Sequence, residues 1–254
     1  MTERVALVTG VSRSIGIGAA VARALATTGH RLLLTGLPRY DDAQPYGGDP
    51  QGVPNLLAEL GGAAHHVTAD LLDPATPAAL VAETVRRYGR LETVVAVHAY
   101  STRTSLGTLE ADEIDRHLLV NVRATLLLAE AFAAAFTGGD GGRLVLFSSG
   151  QRLGPMPDEL AYAVSKAAVE NLTTQLAPLL MPRGITVNCL NPGPTDTGYA
   201  PPEVHAAVAR HFPGGQWGTP GDAARLVAFL CSPEARWITG QVIDSEGGFQ
   251  RHAR

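Results

Sequence analysis

The chain has 254 residues, a formal net charge of −4 and 45% hydrophobic residues, enough to bury one sizeable α/β core and too long for a disulfide-stapled miniprotein. Charged residues make up only 17% and are mixed in sign, so neither a basic nucleic-acid face nor a disordered acidic tail is written in the pattern, and no nucleic-acid partner is expected. Cys189 and Cys231 stand singly in apolar stretches and read as core thiols, with no metal site expected. The apolar run 5–8 after Arg4 is too short for a signal-peptide core, and no uninterrupted apolar stretch reaches 18 residues. The expectation is a cytoplasmic protein without a membrane partner.

In chain order, residues 5–8 read as a buried strand that runs into Thr9, Gly10 and a loop ending at Gly18. An alanine-rich helix over 18–28 and a strand over 31–35 follow, and then a Pro-, Gly- and Asp-rich stretch over 38–52 that reads as a surface loop. A helix over 53–60, a strand over 64–69, a helix over 74–88 and a strand over 93–97 come next. A long apolar helix over 111–136 leads to a strand over 143–147. The remainder reads as a helix over 159–180, a strand over 185–190, an apolar segment over 198–220, a helix over 222–231 and a strand over 241–244. Seven apolar runs between helices with apolar residues three and four apart predict right-handed βαβ crossovers. The fold class is therefore α/β: a Rossmann-type doubly wound, mainly parallel seven-stranded sheet with helices on both faces, forming a single domain over 1–254.

Strand, glycine turn, helix is the context that a dinucleotide pyrophosphate needs, because backbone N–H groups at a helix start bind the anion and larger side chains block its approach. Tyr162 and Lys166 stand four residues apart, one helical turn on one face. Of the 20 basic residues, Lys166 alone is lysine. A phenol with an ordinary pKa of about 10 is a poor base near neutrality, and lowering it by three units takes about 4 kcal/mol, which a neighbouring cation in a dry cleft can supply. Thirteen residues before the tyrosine, Ser149 follows the 143–147 strand at the carboxyl edge where open α/β sheets place ligands, with Ser148 as its competitor. Asn121 interrupts an apolar stretch of the long helix and must be hydrogen-bonded there.

These motifs, covering nearly the whole chain, resemble the short-chain dehydrogenase/reductase family, nearest to bacterial 3-oxoacyl-thioester (acyl carrier protein) reductases. The resemblance implies Asn121, Ser149, Tyr162 and Lys166 as the catalytic four, with Asn121 in a proton relay and Lys166 on the nicotinamide ribose. It aligns Gly10 with the first glycine of the phosphate loop and Gly16, Ile17 and Gly18 with its closing Gly-Ile-Gly, leaving a loop two residues longer than usual and placing Ser12 and Arg13 within it. Asp70 and Leu71 resemble the adenine-contacting pair. Pro192, Gly193, Thr195 and Thr197 resemble the segment that holds the nicotinamide amide and phosphates, and residues 238–241 and 246–248 resemble the carboxyl-terminal signature. One segment departs: the family writes Asn-Asn-Ala-Gly where this chain has Ala96, Val97, His98 and Ala99. His98 reads as a hydrogen-bonded structural group or as a new substrate contact.

The end of the second strand has no carboxylate until Asp41, whereas an NAD enzyme of this fold wants one there. Arg13 and Arg39 can instead neutralise a 2′-phosphate, so the expected cofactor is NADP, unless either arginine is simply a solvated charge. The segment 198–220, with Tyr199, Val204, Val208, Phe212 and Trp217, is expected as a lid, and Gln151, Arg152, Leu153 and Met156 as the opposite wall. The expected activity is NADP(H)-dependent interconversion of a ketone and a secondary alcohol with Tyr162 as general acid/base, the partner being a small carbonyl or alcohol substrate. The alternative is a catalytically silent NAD(P)-binding sensor or scaffold. An enoyl reductase is disfavoured, because that branch separates its Tyr and Lys by six residues. The resemblance also implies a homotetramer.

Overall fold

The computed structural model describes residues 4–138 and 141–251. Strand β1 (Arg4–Thr9) leads through the glycine loop to α1 (Ile17–Thr27) and β2 (His30–Gly36). Helices α2 (Pro38–Asp42) and α3 (Gly52–Leu60) precede β3 (Ala64–Thr68), and α4 (Thr76–Tyr88) precedes β4 (Thr93–Ala96). Helix α5 (Ala111–His117) passes through a π turn (Leu118–Arg123) into α6 (Ala124–Ala135), then β5 (Gly142–Phe147), α7 (Leu160–Leu180) and β6 (Ile185–Asn191). Helices α8 (Pro202–Ala209) and α9 (Pro220–Leu230) and strand β7 (Val242–Asp244) complete it.

All seven strands pair in parallel in the order β3-β2-β1-β4-β5-β6-β7. Alternation along the strands divides the core. Val5, Leu7, Leu33, Leu144 and Leu146 face α4, α6 and α7, while Ala6, Val8, Leu32, Leu34, Val145 and Phe147 face α1, α3 and α9. The chain order reverses direction between β1 and β4, and a crevice opens there at the carboxyl ends of the strands. Cys189 and Cys231 are both fully buried, as expected of core thiols.

One expectation needs correction. The stretch 38–52 is not a plain surface loop: it contains α2, its residues Arg39 to Asp41 and Gln44 to Tyr46 line the crevice, and Asp49 accepts hydrogen bonds from the Ser14 N–H at 2.9 Å and the Ser14 hydroxyl at 2.5 Å. Proline at the first helical position and the turn-forming Asp and Gly residues gave the segment its loop-like composition, while its tertiary contacts order it. The predicted helix 111–136 is present as one continuous helix over Ala111–Ala135, with a π turn at its middle that carries Asn121.

Candidate active site

The crevice has a volume of about 1820 Å³ and runs from the glycine loop to α8. At its phosphate end, Gly10 is left-handed (φ +74°), and a Cβ on it would lie 2.7 Å from the His98 nitrogen; a Cβ on Gly18 would lie 2.4 Å from the Gly10 carbonyl oxygen. Strand end, loop and helix start are thus packed backbone to backbone, as hydrogen-only positions allow. Gly16 caps α1 without a side-chain hydrogen bond, and no acid stands in the first turn. The first N–H groups of α1 are therefore free of a side-chain cap, and Gly16, Ile17 and Gly18 line the crevice. A pyrophosphate fits this cradle.

Ser12, Arg13, Arg39, Asp70, Leu71, Pro192, Gly193, Thr195 and Thr197 also line the crevice, so every expected cofactor residue except the buried Lys166 reaches it. The turn after β6 is held from below: Asn191 donates to Asp244 and Glu246 at 2.9 and 2.8 Å and accepts from the Gly193 N–H at 3.1 Å. In the carboxyl-terminal signature, Thr239 accepts from the Val187 N–H at 3.0 Å, and the Asn188 amide donates to the Ile238 carbonyl at 2.8 Å. That segment anchors β6 from outside the crevice.

Ser149 and Tyr162 open onto the same crevice. Ser148 is committed elsewhere: its hydroxyl donates to Glu170 at 2.7 Å. Burial pushes the Tyr162 hydroxyl well above its ordinary value, the Glu159 carboxylate adds to that push, and a hydrogen bond from Ser149 opposes it. Lys166 lies behind the wall, 3% exposed, donating to the Phe147 carbonyl at 2.9 Å with its nitrogen 5.6 Å from the Tyr162 ring centroid. Burial brings its ammonium down to about 8. The expected lowering of the tyrosine by the lysine is therefore not present in the protein alone.

The Asn121 side chain accepts from the Tyr100 N–H at 2.7 Å and donates to the Tyr100 carbonyl and the Ser165 hydroxyl, both at 2.9 Å. It ties the π turn to the end of the β4 loop and to α7. His98 occupies the departing segment as a buried strut: Nδ1 meets the Thr9 hydroxyl at 2.6 Å, and Nε2 meets the Val120 carbonyl at 3.2 Å. Since that carbonyl only accepts, Nε2 carries the proton. Burial, with the Lys166 cation nearby, lowers the imidazole to about 3, so it stays neutral. Of the two readings of His98, the geometry is that of the structural group.

The substrate end differs from expectation on one wall. Met156 lines it, with Gly154, Pro155 and Pro157, but Gln151 turns to Ser148 at 3.0 Å, Arg152 pairs with Asp244, and Leu153 is not among the lining residues. A hydrogen bond to Ser148 draws Gln151 away, and charge pairing to Asp244 of β7 and Glu170 of α7 draws Arg152. Of the lid residues, Tyr199, Val204 and Val208 face the crevice, whereas Phe212 packs on Phe249 and Trp217 stacks on His205. Glu159, Phe249 and Arg251 line the site unforeseen. Glu159 was legible as an acid one turn before Tyr162; the other two arrive from the end of the chain, where no local pattern marks them.

Residues 10–250 match a family model described as Enoyl-(Acyl carrier protein) reductase. An uncharacterized oxidoreductase, YjdA, of Bacillus subtilis is 37% identical over 98% of this chain and 98% of its own. The chain belongs to the short-chain dehydrogenase/reductase family. A short-chain dehydrogenase from Burkholderia cenocepacia, solved in complex with NADP, superposes with a TM-score of 0.84 at 36% identity, covering 97% of each chain. A reductase, LugOII, described as promiscuous and as catalysing keto-reduction at C1 during lugdunomycin biosynthesis, gives a TM-score of 0.84 at 33% identity over 96% of each chain. This short-chain dehydrogenase/reductase is thus an oxidoreductase with a Rossmann-like single domain.

Proposed function

We propose that this oxidoreductase interconverts a ketone and a secondary alcohol with NADP(H). The observation that carries the reading is the opening of Ser149 and Tyr162 onto the same crevice as the glycine loop. Gly10, Gly16 to Gly18 and the turn Pro192 to Thr197 would hold the nicotinamide cofactor, which when bound supplies or accepts hydride. Ser149 orients the substrate oxygen and donates to it as negative charge develops there, and Tyr162 delivers the proton. Lys166, whose nitrogen lies 5.6 Å from the Tyr162 ring centroid, would hold the nicotinamide ribose, and its charge would then lower the tyrosine. Asn121 fixes the π turn behind them and would hold the relay water.

The substrate walls, Met156, Pro155, Pro157, Pro201, Val204, Val208 and Phe249, suit a medium-sized, partly apolar ketone. LugOII's described keto-reduction supports the same class. Tyr162 and Lys166 stand four residues apart, which supports ketone rather than enoyl reduction despite the family model's description. Cytoplasmic location and a homotetrameric assembly, without membrane or nucleic-acid partners, belong to the proposal.

A panel of ketones and alcohols with NADPH and NADH, followed by nicotinamide absorbance, tests it. Turnover of a ketone is expected, and cofactor binding without any turnover would favour the silent sensor. Tyr162→Phe should lower kcat by about 10²-fold or more while leaving the NADPH Kd within a few-fold, because only the proton donor is lost. Retention of most of kcat would remove Tyr162 from the chemistry.

A further inference from the structure

Among the described residues, the carboxylates that line the crevice are Asp41, Asp70 and Glu159. Asp41 lies in α2 beside Arg39, with which Asp70 pairs. Glu159 is the one at the substrate end, half-buried at the start of α7 and three residues before Tyr162. Its backbone is pinned by the loop after β4: the Leu160 N–H donates to the Thr104 carbonyl and the Thr104 N–H to the Asp158 carbonyl, both at 2.8 Å. The side chain thus hangs from a fixed frame, while its carboxylate meets no hydrogen-bond donor among the described residues.

The cations around it are engaged elsewhere or stand off. Arg116 pairs with Glu113 and Arg251 with Glu246. Arg103 is exposed, and its field reaches Glu159 without an ion-pair contact. Burial pushes the Glu159 carboxyl up, and Arg103 opposes that push. After burial, the Glu159 charge is the next influence raising both the Tyr162 and the Tyr199 hydroxyls, so the carboxylate acts on the proton donor and on an aromatic ring of the lid. A carboxylate among apolar walls is costly until a cation reaches it, and an aromatic face nearby adds to the hold on an ammonium.

We infer that Glu159 is a specificity-determining residue whose carboxylate receives the cationic end of the substrate, and that the ketone taken is an amino ketone, protonated at neutral pH. The ammonium gains a charge-assisted hydrogen bond and the carboxylate gains the partner that the protein withholds. Met156, Pro201, Val204 and Val208 cover the apolar remainder of the molecule. The inference rests on the proposed ketone reduction and deepens it by naming the substrate class.

The test is kcat/KM at pH 7 with NADPH, on the whole protein, for two ketones of one carbon frame, one ending in a dimethylammonium group and the other in the isosteric isopropyl group. Wild type should favour the ammonium ketone by about tenfold or more, as a charged hydrogen bond provides. Glu159→Gln and Glu159→Ala should each bring the ratio down to within about twofold of unity. Any effect of these substitutions on Tyr162 is common to both ketones, so the ratio isolates the contact. Arg103→Ala, which removes the opposing cation and leaves Glu159 in place, should widen the ratio. A wild-type ratio near unity, a ratio unmoved in the folded Glu159 variants, or a ratio narrowed by Arg103→Ala overturns the inference alone. Absence of turnover of both ketones with NADPH and with NADH overturns the ketone reading and the inference with it.

Discussion

Lys166 keeps its charge where its surroundings disfavour it. It is buried beside the sheet with one carbonyl partner, and burial brings it from 10.5 to about 8. Above pH 8 the unfolded chain binds the lysine proton more readily than the folded one, so stability rises with pH until about 10.5 and the destabilisation is fully present below 8. At 1.36 kcal/mol per unit the cost near neutrality is up to about 3 kcal/mol. Lys166→Met, similar in length and uncharged, is therefore expected to raise the Tm of the protein at pH 7 while weakening NADPH binding. The Tm gain should shrink as pH approaches 10.5. Thermal scans of both proteins across that range check it, and a Met variant less stable at pH 7 would show that the burial cost is met by its surroundings. His98 behaves oppositely: buried but neutral, it supports Thr9 and Val120 without titrating near pH 7.

At the scale of elements, the contact of β1, its loop and α1 leaves no room for a side chain. A Cβ on Gly18 would stand 2.4 Å from the Gly10 carbonyl oxygen, a backbone atom that no side-chain rotation can move aside. Gly18→Ala should push α1 away from the strand end, lowering stability by roughly 1–3 kcal/mol, as overpacking does, and weakening NADPH through displaced N–H groups. Denaturant midpoints and cofactor Kd values measure both, and an alanine variant matching wild type in each would refute the close contact. The strands were legible because parallel strands buried on both faces are uniform apolar runs such as Val94 and Val95 in β4. Helix α2 was not, since Pro38 and Asp41 to Asp42 read as turn chemistry until the crevice wall they pack into is known.

For the whole molecule, α6 and α7 leave an apolar surface. Leu126 is 43% exposed, Val164 62% and Leu179 68%, and the helix Ala111–Ala135 is only 39% buried over its most apolar window. That window's mean hydropathy of 1.6 reaches the level of a membrane span by length and composition; in this fold the helix packs on α4, α7 and the sheet. Twofold pairing of these helices would cover the exposed stripe, and sedimentation equilibrium at micromolar concentration should give a species near four times the 26.6 kDa chain. A single species at the chain mass would refute the tetramer.

By itself the sequence determined the number and direction of the strands, the burial of both cysteines, and which residue types could form the site. Periodicity, glycine placement and the Tyr162 to Lys166 spacing are local properties that survive without any knowledge of the fold. Only the tertiary structure decided where side chains point. It set Asn121 onto Tyr100, Lys166 onto Phe147 and Arg152 onto Asp244, and it brought Phe249 and Arg251 to a crevice that none of their neighbours in sequence announces. The physical reason is that a polar side chain is satisfied by whichever partner lies nearest in space, and for these residues that partner or shared cavity comes from another element of the fold.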